Sequence, residues 1–256
     1  MLACQDIALT VAGRTLCRAL NLTVQPGEVW GVLGPNGSGK TTLLNTLAGL
    51  ASPTSGTVTL DAQPLMHMHG IARARSVGIL PQHEEAEFWG TALDYVNLGC
   101  FPSAPAWLGW YSGDEAAALA AMQQAGVAAL ATRGYATLSG GERQRVRFAQ
   151  LLAQAQRYLL LDEPLQHLDL RYQIQLLDLL ASLVRNADRP RAVVMVLHDV
   201  LWPARYCTHA LLLDGTGAAR AGVASEILTQ PNLEALFGCA LQSAGDKSGA
   251  GFVPAL

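Results

Sequence analysis

A chain of 256 residues, half of them apolar, supplies enough core for one sizeable domain or two small ones, which excludes a disordered or fibrous protein. Seventeen Lys and Arg against twenty Asp and Glu leave a formal charge of −3, which excludes a broad basic surface for nucleic acid or anionic lipid. The five cysteines, Cys4, Cys17, Cys100, Cys207 and Cys239, are scattered and form no C-x-x-C pair, which argues against a disulfide framework or a zinc site and for a reducing compartment.

In chain order, the N-terminus lacks the basic start and continuous apolar stretch of a secretory signal, so a cytosolic chain is expected. Short alternating segments at 7–11 and 16–24, broken by Gly13-Arg14 and closed by Pro26-Gly27, predict an antiparallel β-lobe that residues 56–60 later join. Apolar runs at 29–33, 76–80, 158–161, 192–197 and 210–213 predict buried strands. The clearest helical pattern lies at 173–184, where Ile174, Leu177, Leu180 and Val184 are expected on one face. Strands alternating with helices mean a parallel α/β sheet. From 87 to 138 the strand signal fades and the alanine-rich stretch 114–130 reads as helix, so this region is expected to be a helical insertion. Residues 243–251, rich in Gly, Ser and Ala, are expected to be loosely ordered, with Phe252-Val253-Pro254 able to dock. Nowhere do ~20 apolar residues run together as a bilayer span requires, so a membrane-crossing part is expected on another polypeptide.

The strongest chemical signal is Gly34-Pro35-Asn36-Gly37-Ser38-Gly39-Lys40-Thr41, which follows the 29–33 strand and opens a helical pattern beginning at Thr42. Glycines let the backbone wrap a phosphate where a β-carbon would obstruct it, and the new helix aims free N–H groups at the anion. Lys40 adds a compact charge for the outer phosphates, and Thr41 a hydroxyl for Mg²⁺. A chance glycine-rich turn would not need the strand before it and the helix after it. The nucleotide expected here is ATP with Mg²⁺.

The second signal is Tyr158-Leu159-Leu160-Leu161-Asp162-Glu163-Pro164, a buried strand ending in two carboxylates that burial alone does not require. Asp162 is placed to hold Mg²⁺, and Glu163 to orient and polarise an attacking water as a general base. A lone Asp would read as a solvated strand end; a P-loop upstream changes that weighing.

The third signal is Leu138-Ser139-Gly140-Gly141-Glu142, twenty residues before that strand. Alone, it reads equally well as an ordinary helix N-cap. After the two earlier motifs, Ser-Gly-Gly-Glu opening a helix resembles the signature of the ABC ATPase family. The resemblance implies a P-loop NTPase core of parallel strands with an antiparallel N-terminal lobe and a helical subdomain at about 87–150, the ATPase domain covering 1–242 and a tail 243–256. It also implies that Ser139, Gly140, Gly141 and Glu142 of one subunit cover the γ-phosphate held by the P-loop of a second copy. By the same resemblance Gln82 is the glutamine that reaches Mg²⁺ and the attacking water, Asp169 the aspartate at the dimer interface, and His198 the histidine that contacts the γ-phosphate. Catalytic roles are thus expected for Glu163, His198 and Gln82, metal contacts for Thr41, Gln82 and Asp162, and nucleotide contacts for Gly34 to Thr42, Ser139 to Glu142 and Asp169.

The chain departs from the family pattern twice. Val11 stands where an aromatic ring stacks on adenine, and 9–15 contains no aromatic, which leaves Arg14 or apolar side chains to meet the base. Leu165-Gln166 replaces a frequent Thr-Ser, a change without a physical account at the level of sequence.

Three further segments, Leu80-Pro81-Gln82-His83, Asp94-Tyr95-Val96-Asn97-Leu98-Gly99 and Glu226-Ile227-Leu228-Thr229-Gln230-Pro231-Asn232-Leu233, are similar to ATPases of the metal-chelate group, which import siderophore-iron, haem or cobalamin. The resemblance implies a homodimer at the cytoplasmic face of the inner membrane, two copies of a multi-span permease, a periplasmic or lipoprotein substrate-binding protein, and no nucleic acid. Aromatics from Phe88 and Trp89 to Phe101, with Trp107, Trp110 and Tyr111, fall where the permease's coupling helix is received, or else fill the subdomain's own core. Another ABC import or export system and a soluble non-transport ABC ATPase remain as alternatives. A P-loop kinase would leave 138–142 unexplained.

Overall fold

The computed structural model describes residues 1–82, 87–103, 114–243 and 252–255. β1 (Leu2–Val11) and β2 (Arg14–Val24) form a hairpin, and β3 (Val29–Leu33) runs through a glycine-rich loop into α1 (Lys40–Leu47). β4 (Ser55–Leu60), β5 (Gln63–Pro64) and α2 (Gly70–Ala74) lead to β6 (Val77–Leu80). Among the described residues, the α-helices α3 (Ala92–Asn97), α4 (Glu115–Gln124) and α5 (Gly140–Ala153) separate β6 from β7 (Tyr158–Leu161). After α6 (Leu170–Arg185) come β8 (Ala192–Val196), α7 (Leu201–Tyr206), β9 (His209–Leu213) and β10 (Ala219–Val223). The chain closes with α8 (Ala224–Ile227), α9 (Gln230–Phe237), β11 (Leu241–Ser243) and β12 (Phe252–Pro254).

The strands sort into an antiparallel sheet ordered β2-β1-β4-β5 and a six-stranded sheet ordered β10-β9-β3-β8-β7-β6. In the larger sheet every neighbouring pair is parallel except β9 with the edge strand β10. Its inner strands read as unbroken apolar runs because both faces are covered. Leu159, Leu161, Val193 and Met195 pack with the helices α3 to α6, while the alternate residues Tyr158, Leu160, Val194 and Val196 pack with α1 and the β-lobe. One sheet thereby separates two hydrophobic layers.

The register then sets the site. Parallel pairing places Val32 beside Val196, Leu161 beside Met195, and Leu80 beside Leu161. Gly34, His198, Asp162 and Gln82 therefore leave the same edge of the sheet, each one or two residues past a strand end. This is the carboxyl-terminal edge, where open α/β sheets place their ligands.

Two expectations need correction, and one alternative left open is decided for Phe88. The alanine-rich helix ends at Gln124 rather than Leu130, because Gly126 turns the chain at φ +66° and only a 3₁₀ turn follows at Ala128–Leu130. On α6 the buried face is Leu176, Leu177, Leu180 and Val184, and Ile174 is exposed. At about 100° per residue, Ile174 lies roughly a quarter-turn from the centre of that face. Phe88 is not a free surface aromatic: its ring stands edge-on to Tyr95 and Tyr135, at 5.4 and 5.9 Å. Trp89, by contrast, is 83% exposed. Phe252 is buried and β12 pairs with β11, so the end of the chain docks. His83, Trp107, Trp110, Tyr111 and 244–251 lie outside the described residues.

Candidate active site

The loop between β3 and α1 is shaped by close approach. A β-carbon on Gly34 would stand 2.2 Å from the carbonyl oxygen of Leu213, and one on Gly39, at φ +101°, would meet the Leu16 side chain at 2.9 Å. Gly39 also caps α1 with no side-chain hydrogen bond, so the helix presents its first N–H groups uncovered. The Lys40 ammonium donates to the carbonyl oxygens of Gly34 and Pro35, at 2.8 and 3.1 Å. Burial lowers the Lys40 pKa from its ordinary value, and the carboxylates of Glu163 and Asp162 work against that shift. Ser38 is buried behind the loop and its hydroxyl oxygen has no hydrogen-bond partner among the described residues.

A cavity of about 550 Å³ opens over this loop, well within the range of small-molecule sites. Asn36, Gly37, Gly39, Lys40, Thr41 and Thr42 line it from the loop and α1. Gln82, Glu163, Gln166 and His198 line it from the other strand ends. The β1–β2 hairpin contributes Val11, Arg14 and Leu16.

Glu163 is the meeting point of these groups. The Gln82 amide donates to its Oε2 at 2.8 Å, the Gln166 amide donates to the same oxygen, and His198 Nε2 lies against Oε1. The residue adopts φ +52°, a left-handed backbone that a glutamate rarely takes and that turns its carboxylate into the cavity. Asp162, one residue earlier, is only 2% exposed, and its Oδ1 has no hydrogen-bond partner among the described residues. Burial pushes its carboxyl above the ordinary range, the Thr41 hydroxyl pulls it down, and the neighbouring Glu163 charge pushes it up again. A buried carboxylate with an orphaned oxygen beside a threonine hydroxyl is the oxygen-rich donor set a hard divalent cation accepts. The residues present therefore fit Mg²⁺.

The signature residues lie elsewhere. Ser139 caps α5: its hydroxyl oxygen accepts from Glu142 N–H at 3.3 Å, and the Glu142 carboxylate accepts from Ser139 N–H at 2.8 Å. Glu142 also pairs with Arg133 at 2.8 Å, and these contacts hold its carboxyl below the usual range. A β-carbon on Gly141 would stand 2.9 Å from the His167 carbonyl oxygen, and Gly140 also faces His167. Asp169 caps α6 by accepting from Tyr172 N–H at 3.0 Å. Ser139, Gly140, Gly141, Glu142 and Asp169 thus form a second group that does not line the cavity over Lys40.

Two residues were not assigned roles from sequence. Gln166, noted only as a departure, reaches the Glu163 carboxylate. Arg147, one of a run of arginines on α5, is buried and donates to the backbone carbonyls of Pro81 and Gln82 and, at 2.9 Å, to the Gln144 side chain. Motif spacing does not reveal it; a cation at a position otherwise on the buried face of α5, between Val146 and Phe148, is the signal available.

The ABC transporter family profile matches residues 17–166. The hemin import ATP-binding protein HmuV of Bordetella avium is 37% identical over 246 residues, covering 93% of this chain and 92% of its own. The ferric enterobactin transport ATP-binding protein FepC of Escherichia coli is 36% identical over 234 residues, covering 91% and 86%. A metal-chelate type ABC transporter solved in an inward-facing conformation superposes with a TM-score of 0.84 at 29% identity, over 100% of this chain and 97% of that one. With its fold, its glycine-rich loop and its paired carboxylates set beside these matches, the chain belongs to the ABC transporter family, as an ATP-binding subunit that hydrolyses ATP.

Proposed function

We propose that this chain powers uptake of a metal chelate, with haem, siderophore-iron and cobalamin as the candidate cargo class. It would act as a homodimer at the cytoplasmic face of the inner membrane, with two copies of a multi-span permease and a periplasmic or lipoprotein substrate-binding protein. The relatives' names and the likeness to a metal-chelate transporter support the cargo class. Among the described residues no helix is long and apolar enough to cross a membrane, in keeping with separate membrane subunits.

The observation that carries the catalytic reading is the convergence of Gln82, Gln166 and His198 on Glu163 at the mouth of the Lys40 cavity. In the proposed reaction Lys40 and the N–H groups of α1 neutralise the triphosphate. Mg²⁺, held by Thr41, Asp162 and the amide oxygen of Gln82, would supply charge neutralisation at the outer phosphates. Glu163 takes a proton from a water whose oxygen bonds to the γ-phosphorus as the bond to the β-phosphate oxygen breaks. His198 orients the γ-phosphate. Because Ser139 to Glu142 and Asp169 sit away from this cavity, they are assigned to the nucleotide of a second subunit. Loss of the γ-phosphate would then remove the charge that holds two subunits together.

Glu163→Gln keeps the size and the hydrogen bonding but removes the base. Hydrolysis is expected to fall by about 10³-fold while ATP binding persists, with dimers accumulating on size-exclusion in ATP. Rapid turnover by that variant would refute the assignment.

A further inference from the structure

The cavity is two-sided, and the side away from Glu163 has an unusual lining. The β1–β2 hairpin lines the cavity with Val11, Arg14 and Leu16, and with the outer phosphates read as lying between Lys40 and Glu163 this is the wall left for the nucleoside. Among the described residues no Phe, Tyr or Trp lines the cavity, and its one imidazole, His198, sits with Glu163. Leu16 is buried against Gly39, while Val11 is 49% exposed. Arg14 is the one extended planar group available there, and it is held in place: its guanidinium donates to the carbonyl oxygen of Gly215 at 2.9 Å, in the turn between β9 and β10. The same guanidinium lies 4.0 Å from where a β-carbon of Gly37 would be, which ties it to the phosphate loop.

We propose that the Arg14 guanidinium is the platform for the nucleobase, and that the chain accepts purine nucleoside triphosphates with little discrimination between adenine and guanine. This rests on the reading that the Lys40 cavity holds the nucleotide. A guanidinium stacks on any purine face through its charge and planarity. Telling adenine from guanine requires donors and acceptors aimed at the base edge, and the aliphatic side chains of Val11 and Leu16 have none.

The test is binding of MgATP, MgGTP and inorganic tripolyphosphate to the full-length chain at fixed, near-physiological salt. ATP and GTP are expected to bind within about threefold of each other. Arg14→Ala should weaken both by about fivefold while tripolyphosphate, which has no base, changes by less than about twofold. Arg14→Lys separates charge from stacking: an ammonium keeps the charge without the plane, so this variant should bind nucleotides like Arg14→Ala. Val11→Tyr, at an exposed position, should tighten both nucleotides several-fold. A preference for ATP over GTP of tenfold or more, or wild-type nucleotide binding by Arg14→Lys, would overturn the proposal. The underlying reading fails by a different sign: Lys40→Ala leaving both ATP and tripolyphosphate binding unchanged.

Discussion

Two helices of this chain begin in glycine-rich sequence, and they begin differently. α1 starts from Gly39 with no side-chain cap, its lysine folded back onto the loop's own carbonyls, its N–H groups uncovered beneath a cavity. α5 starts from Ser139 in a complete capping box, with Glu142 committed to Ser139 and Arg133. The first start lacks a partner that the chain itself does not supply; the second is satisfied in isolation. Capping does not close the second to an anion, however. Ser139 uses its oxygen to accept and keeps its O–H to donate, and the capping box satisfies the N–H groups of Ser139 and Glu142, leaving those of Gly140 and Gly141. On the proposed function, the contrast is between a site that needs its ligand and a site that can wait for one brought by a second subunit.

Removing the ammonium from the open start should have the largest effect. Lys40→Ala is expected to weaken ATP binding about 100-fold by calorimetry, because it removes the ammonium that sits at the start of α1 against the loop carbonyls. At the capped start, Ser139→Ala should cut hydrolysis at least about tenfold while leaving ATP affinity of the isolated subunit unchanged, at a stability cost of about 1 kcal/mol from the lost cap. Equal loss of affinity would mean that the two starts serve one nucleotide in one chain. Ser139→Thr, which keeps the hydroxyl, should recover most of the stability.

A smaller effect is expected at Asp162. Its carboxyl is held above the ordinary range chiefly by burial, so its ionised form is disfavoured in the fold. That cost is fully present above the folded pKa, at neutral pH, and is relieved as pH falls through it. Asp162→Asn should therefore raise the nucleotide-free Tm at pH 7 by about 3 °C and lose the extra stabilisation that Mg²⁺ gives in the presence of ATP. An unchanged Mg²⁺ response would remove Asp162 from the metal site. Least affected in its own chemistry should be Trp89→Glu: basal hydrolysis is expected within about twofold of wild type, with transport lost in vesicles containing the permease. Co-purification of that variant with the permease at wild-type yield would argue against Trp89 as an interface residue.

The inner strands and the loop at 34–41 were legible in sequence because a strand covered on both faces must be apolar throughout, and a phosphate loop must spend glycines where side chains collide. β10 was not legible: Ala-Arg-Ala-Gly-Val on a sheet edge has no continuous apolar run, since only one side of it is paired. The face of α6 was misjudged at Ile174 because three- and four-residue spacing alone does not say where the stripe is centred. Gln166 and Arg147 act through contacts made only after folding: one reaches a carboxylate three residues back across a tight turn, the other crosses from α5 to the loop after β6. The spatial separation of Ser139 from the Lys40 cavity is likewise tertiary, although the presence of two phosphate-type helix starts in one chain already pointed to it.

Arg147 carries a mechanical consequence. Its buried guanidinium grips the backbone of Pro81 and Gln82 from α5, seven residues along from the signature glycines. A side chain this enclosed has little slack, so a tilt of α5 drags the loop whose glutamine amide rests on Glu163. The position of the helix that opens at Ser139 and the hydrogen bonding of the Glu163 carboxylate are thereby mechanically linked.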